Sequence, residues 1–143
     1  MPIKEARAAD VAAMEDSKSL GLRVLVMRKW PRMRGFTKNS VDLWLPDAGP
    51  SLSLLESYRK GDIAWLTFAE RYKEEQRSAT SCRVVEYSEG VKVRDEVLQR
   101  SPLAHLRAME WAFEDVTVIC WENTDTECHR HLLVALAGEK LTV

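Results

Sequence analysis

The chain reads as an α/β sandwich: one domain over residues 1–143, with a small, mostly parallel sheet flanked by helices. Two observations predict it. Two short apolar runs, "LRVLVM" at 22–27 and "VTVICW" at 116–121, are continuous rather than alternating, as expected of strands covered on both faces. Segments with helical patterning stand between strand candidates, and strands alternating with helices pack as a parallel sheet with helices on its faces.

Taken in order, residues 8–18, "AADVAAMEDSK", have good helix formers and a modest apolar stripe. Gly21 precedes the first strand. Pro50 marks a boundary before Ser51, which opens a short helix. From Trp65, the residues Trp65, Phe68, Ala69 and Tyr72 fall at i, i+3, i+4 and i+7, and "ERYKEEQR" supplies the charged face of that helix. "CRVVEY" at 82–87 followed by "SEGVKV" reads as a strand, a turn and a return. Ser101-Pro102 is an N-cap with proline at the first helical position, and Leu106, Met109 and Phe113 give the buried stripe. Thr124 and Glu127 form a capping box for a last helix, and Gly138 stands where its end favours a left-handed residue.

Composition excludes several classes. With 45% apolar and 30% charged residues the chain is neither disordered nor collagen-like. A net charge of −1 offers no basic field, so attraction to nucleic acid needs a local patch. The first twenty residues carry both signs of charge, unlike a secretory signal, and no apolar run approaches the roughly 18 residues of a membrane span. A cytoplasmic protein with no membrane partner is expected. Cys82, Cys120 and Cys128 are odd in number and irregularly spaced, which reads as reduced thiols.

In parallel sheets the ligand crevice lies beyond the carboxyl ends of the strands, so the segments after Met27 and Trp121 are the places to look. Between Gly21 and Lys38 stand Arg23, Arg28, Lys29, Arg32, Arg34 and Lys38, with no acid. Arginine's planar fork suits phosphate or carboxylate, and Trp30 or Phe36 could stack on a ring. The plainer reading is a solvated loop whose arginines pair elsewhere. After the second strand comes "ENTDTECHRHLL". There Cys128 sits at the edge of a helix's first turn, where free N–H groups act weakly on its thiol, and His129 shares a face with Leu132, Leu133 and Leu136. A hydrogen-bonded structural histidine is the alternative to a catalytic one, and Cys120 in mid-strand reads as an inert buried thiol.

Sharper motifs fail. A cysteine-phosphatase loop needs arginine six residues after the cysteine, but Val134 stands there after Cys128 and Thr126 after Cys120. There is no C-x-x-C. His129 and His131, two apart on a helix, face different ways, so no metal site is expected. The glycine-rich nucleotide fingerprints are absent, and no cofactor is implied.

The blocks "RKWPRMRG", "KNSVDLWLPDAGPS", "WLTFAERYKEE" and "VTVICWENTDTECHRHLL", in that order from about Leu22 to Leu136, resemble the bacterial and archaeal family known as domain of unknown function 488. The usual Trp-Pro-Arg-Gly block is here Trp30-Pro31-Arg32 followed by Met33-Arg34 before Gly35. Asp42-x-Trp44, Pro50-Ser51, Arg71-Tyr72 and Cys128-His129-Arg130 match the pattern. The resemblance implies a small α/β domain and specifies no reaction, so function has to come from the site.

The leading expectation is a cationic pocket at the carboxyl edge that binds a small anionic or phosphate-bearing molecule. Arg28, Arg32 and Arg130 would hold the anion, Trp30 would form a wall, and His129 would serve as acid, base or donor. Whether the protein is an enzyme is left open. Any chemistry would be transfer or hydrolysis with Cys128 as nucleophile. The alternative is a non-enzymatic module whose Arg28 to Lys38 loop docks nucleic acid or an acidic partner.

Overall fold

The computed structural model describes residues 3–113, 115–120 and 129–138. Six strands form one sheet: β1 (Lys4–Arg7), β2 (Leu22–Leu25), β3 (Leu43–Trp44), β4 (Cys82–Ser88), β5 (Val91–Leu98) and β6 (Val116–Cys120). Their order is β1-β6-β2-β3-β4-β5. The helices are α1 (Ala8–Ala13), α2 (Leu52–Arg59), α3 (Trp65–Ser78), α4 (Pro102–Ala112) and α5 (His129–Ala137).

The α/β layering agrees with the sequence, but the sheet is mixed rather than mostly parallel. β1, β6, β2 and β3 run parallel, whereas β3 with β4 and β4 with β5 pair antiparallel. The cause is connectivity. Two helices, α2 and α3, separate β3 from β4, and an even number of helices returns the chain to the edge it left. Accordingly the Arg83 amide, at the start of β4, donates to Asp47 just beyond the end of β3 (2.8 Å). β5 then follows through a two-residue hairpin in which Glu89 (φ 51°) and Gly90 (φ 77°) are both left-handed, the turn that matches strand twist.

The two apolar runs behave as their pattern requires. Val24, Leu25 and Val26, and all of Val116 to Cys120, are buried. Val24, Val26, Val118 and Cys120 face α2 to α5, while Leu25 and Ile119 face α1 and the segment carrying Phe36 and Val41. Elements with little apolar signal were not foreseen: β1 is "KEAR" at a sheet edge, and β3 has two residues.

The helix expected over residues 8–18 stops at Ala13, Met14 is extended, and a separate 3-10 turn over Ser17–Leu20 is capped by Asp16. Ser51 and Ser101 cap α2 and α4 as predicted, accepting from Leu54 and Ala104. On α3, Phe68, Ala69 and Tyr72 are buried. On α4, Leu106 is buried and Met109 half-buried, but Phe113 lies past the helix end and is exposed. Gly138 follows α5 without the left-handed backbone its position predicts. The Thr124 and Glu127 capping box lies outside the described residues. Among the described residues no helix is long and apolar enough to cross a membrane.

Candidate functional site

Parallel strands β2 and β3 end side by side, and the two segments that leave them press together. A Cβ on Gly49 would come within 2.4 Å of the Arg28 backbone nitrogen, so only glycine allows this approach. Arg28 then locks the contact. Its guanidinium donates to Asp47 Oδ1 (2.7 Å), to the Gly49 carbonyl (3.0 Å) and, through Nε, to the Pro50 carbonyl (3.3 Å). Trp44 Nε1 donates to the Met27 carbonyl (2.7 Å).

The helices hold the same segment from the other side. Tyr72 Oη donates to the Ala48 carbonyl (2.5 Å) and Gln76 Nε2 to that of Asp47 (3.1 Å). Glu75 accepts from both the amide and the hydroxyl of Ser51. Backbone carbonyls and amides that a loop would normally give to water are thus taken by named side chains, which makes the 46–51 segment a rigid wall.

His129, at the start of α5, reaches beneath this wall. Its Nε2 lies 2.6 Å from the Val26 carbonyl oxygen, and its Nδ1 lies 3.7 Å from Cys120 Sγ. A carbonyl only accepts, so Nε2 carries the proton and, in the neutral ring, Nδ1 is the acceptor for the Cys120 thiol. Tyr72 meets the ring edge-on, with centroids 5.6 Å apart.

Above His129 a small cleft of about 70 Å³ is lined by Met27, Arg28, Lys29, Pro50, Leu55, Arg59 and, at its floor, His129. It opens beside a wider depression of about 410 Å³ that shares Lys29, Leu52, Leu55 and Arg59 and adds Glu56 and Lys60. The cations here differ in their duties. Arg28 is committed to the loop and Lys60 pairs with Glu56 (2.7 Å), but the side chains of Lys29 and Arg59 meet no acid among the described residues. Two positive charges that meet no acid among the described residues therefore flank a cleft that buried His129 also lines.

The structure brings together only part of the predicted set. Arg28 and His129 share the cleft. Trp30 packs instead against Phe36, Trp44 and Tyr87, with ring centroids 5.5 to 5.8 Å apart, on the face of the sheet that carries α1. Arg32 is exposed and does not line the cleft. Arg130, 3% exposed, points to β1, where its Nε donates to Glu5 (3.3 Å). Arg130 and His131 both meet Glu5, so this part of α5 docks on the edge strand. Arg23 is also withdrawn, buried and bonded to Asp42, Ser17 and the Asn39 carbonyl. Cys128 lies outside the described residues. Among those residues no cluster of three or more metal-ligating side chains occurs.

Sequence reasoning missed Arg59 as a cleft residue. It lies at the end of α2, and its only signal was the polar last turn "YRKGD". The positions that matched the family pattern now have physical duties: Trp44, Ser51 and Tyr72 fix the two segments beside the cleft, and Asp42 anchors Arg23.

No curated protein and no solved structure matches the chain. Residues 8–141 do match one family model, DUF488-N3a, described as the active DUF488-N3 subclade, and the chain belongs to that family.

Proposed function

We propose that the protein binds a small anionic or phosphate-bearing molecule in the cleft between the end of β2 and α2. One observation carries this reading: Lys29 and Arg59, both without an acidic partner among the described residues, converge on a cleft floored by His129 at the carboxyl edge of the parallel strands. Arg28 acts as a positioning residue that sets the wall, while Lys29 and Arg59 bind. Leu52 and Leu55 supply an apolar side for the rest of the ligand.

Calorimetric titration with phosphate, sulfate and a panel of mononucleotides tests the reading. Lys29→Ala and Arg59→Ala should each weaken binding about tenfold to a hundredfold, the range for loss of a charge-assisted hydrogen bond. Arg32→Ala should leave it unchanged. If no anion binds the wild-type protein, the reading is wrong.

A second reading is favoured by a separate observation. Arg32, Arg34 and Lys38 are exposed and pair with no acid among the described residues, leaving a basic loop able to dock nucleic acid or an acidic partner. A steep salt dependence of binding, reduced by Arg32→Ala and not by Arg59→Ala, would select it.

A further inference from the structure

The cleft at the carboxyl edge and the depression beside it share four residues, Lys29, Leu52, Leu55 and Arg59, which therefore form the border between them. Lys29 and Arg59 are exposed and meet no acid among the described residues. Only the cleft reaches Met27, Arg28, Pro50 and buried His129, its inner end. The charge that a ligand can use stands at the mouth.

The inner end offers a ligand little to bond. Both nitrogens of the His129 ring are engaged, Nε2 with the Val26 carbonyl (2.6 Å) and Nδ1 with Cys120 Sγ (3.7 Å). Each guanidinium nitrogen of Arg28 already donates, and its charge is matched by Asp47 (2.7 Å). The Met27 carbonyl accepts from Trp44 and the Pro50 carbonyl from Arg28, so these two residues leave the cleft a thioether chain and a ring of methylenes. A phosphate pushed to this end would shed its water for donors that are already engaged, whereas hydrocarbon is stabilised by leaving water.

Size narrows the hydrocarbon. The cleft measures about 70 Å³, and an apolar cavity that seats benzene measures roughly 150 Å³. A chain of about three or four carbons fits, and an aromatic ring does not. At the mouth, two cations match the roughly two negative charges of a phosphate monoester at neutral pH.

We infer that this site takes a phosphate monoester of a short aliphatic alcohol, its phosphate at the mouth between Lys29 and Arg59 and its chain inserted toward Met27, Pro50 and His129. The inference rests on the anion site proposed above and adds to it the orientation of the ligand and the nature of its organic group.

The test is calorimetric titration with monobutyl phosphate, beside inorganic phosphate and phenyl phosphate. Butyl phosphate should bind the wild-type protein about tenfold more tightly than inorganic phosphate, the gain from sheltering about two methylenes, and more tightly than phenyl phosphate. Its chain protons should show nuclear Overhauser contacts to the Met27 methyl group and the His129 ring. Leu52 is 50% exposed, so Leu52→Ala should fold. That variant should bind inorganic phosphate as the wild type does and lose most of the butyl advantage, whereas Lys29→Ala should weaken both ligands alike. Equal binding of phosphate and butyl phosphate, phenyl phosphate binding as tightly as butyl phosphate, or an undiminished butyl advantage in Leu52→Ala would overturn the inference and leave the anion site standing. If neither phosphate nor butyl phosphate binds, both fall.

Discussion

His129 Nε2 lies 2.6 Å from the carbonyl oxygen of Val26, a residue 103 positions earlier in the chain, and this bond ties the start of α5 to the end of β2. The ring also packs edge-on against Tyr72 and meets the Cys120 thiol. Removing it opens a cavity and strands the Val26 carbonyl. His129→Ala should destabilise the fold by about 2–4 kcal/mol in urea denaturation. A loss below about 1 kcal/mol would mean that the bond does not hold these elements together.

Arg32 and Arg130 should respond oppositely to truncation. Arg32 is exposed and meets no acid among the described residues, so Arg32→Ala should change stability by less than about 0.5 kcal/mol. Arg130 is 3% exposed and pairs with Glu5, so its truncation removes that pairing together with the packing of a buried side chain. Arg130→Ala should cost about 3 kcal/mol. Thermal unfolding of the two variants side by side checks this, and equal midpoints would refute it.

Thiol chemistry should divide by burial. Cys82 and Cys120 are both fully buried, and desolvation, with Asp47 nearby, pushes the Cys82 thiol up to about 12. Neither should react with iodoacetamide at pH 8 while the protein is folded, and any fast-labelling thiol should map to Cys128. Rapid modification of Cys82 or Cys120, read by peptide mass spectrometry, would contradict the burial.

Stability should depend on pH through His105. Its folded value of about 4 lies below the ordinary 6.5, so between these values the unfolded chain binds more protons than the folded one. The contribution is fully present above pH 6.5 and is lost as pH falls through about 4. It amounts to about 3 kcal/mol at most. Urea titrations between pH 7 and 4 should fall more steeply for the wild-type protein than for His105→Phe, and parallel slopes would disprove the assignment.

Much of the scaffold was legible locally. β2 and β6 announce themselves because a strand covered on both faces reads as a near-continuous apolar run, broken here only by the buried Arg23 and Thr117. The caps at Ser51 and Ser101 are equally local, since a hydroxyl reaches its helix's own free amides three residues on. β1 and β3 escaped notice because partner strands, not their own residues, make them strands.

The sequence by itself determined the α/β layering, the two central strands, the hairpin after Cys82 and the family. Only the tertiary structure decided which cations are available. Six basic residues between Gly21 and Lys38 look alike in a string, yet Arg23 is buried on Asp42 and Arg28 is clamped to Asp47, whereas Lys29 opens on a cleft with Arg59 from another helix. A charge's availability depends on whether the fold supplies it with a carboxylate. Those carboxylates come from segments about 20 residues away, and Arg130's comes from 125 away at Glu5, distances over which no local pattern carries information.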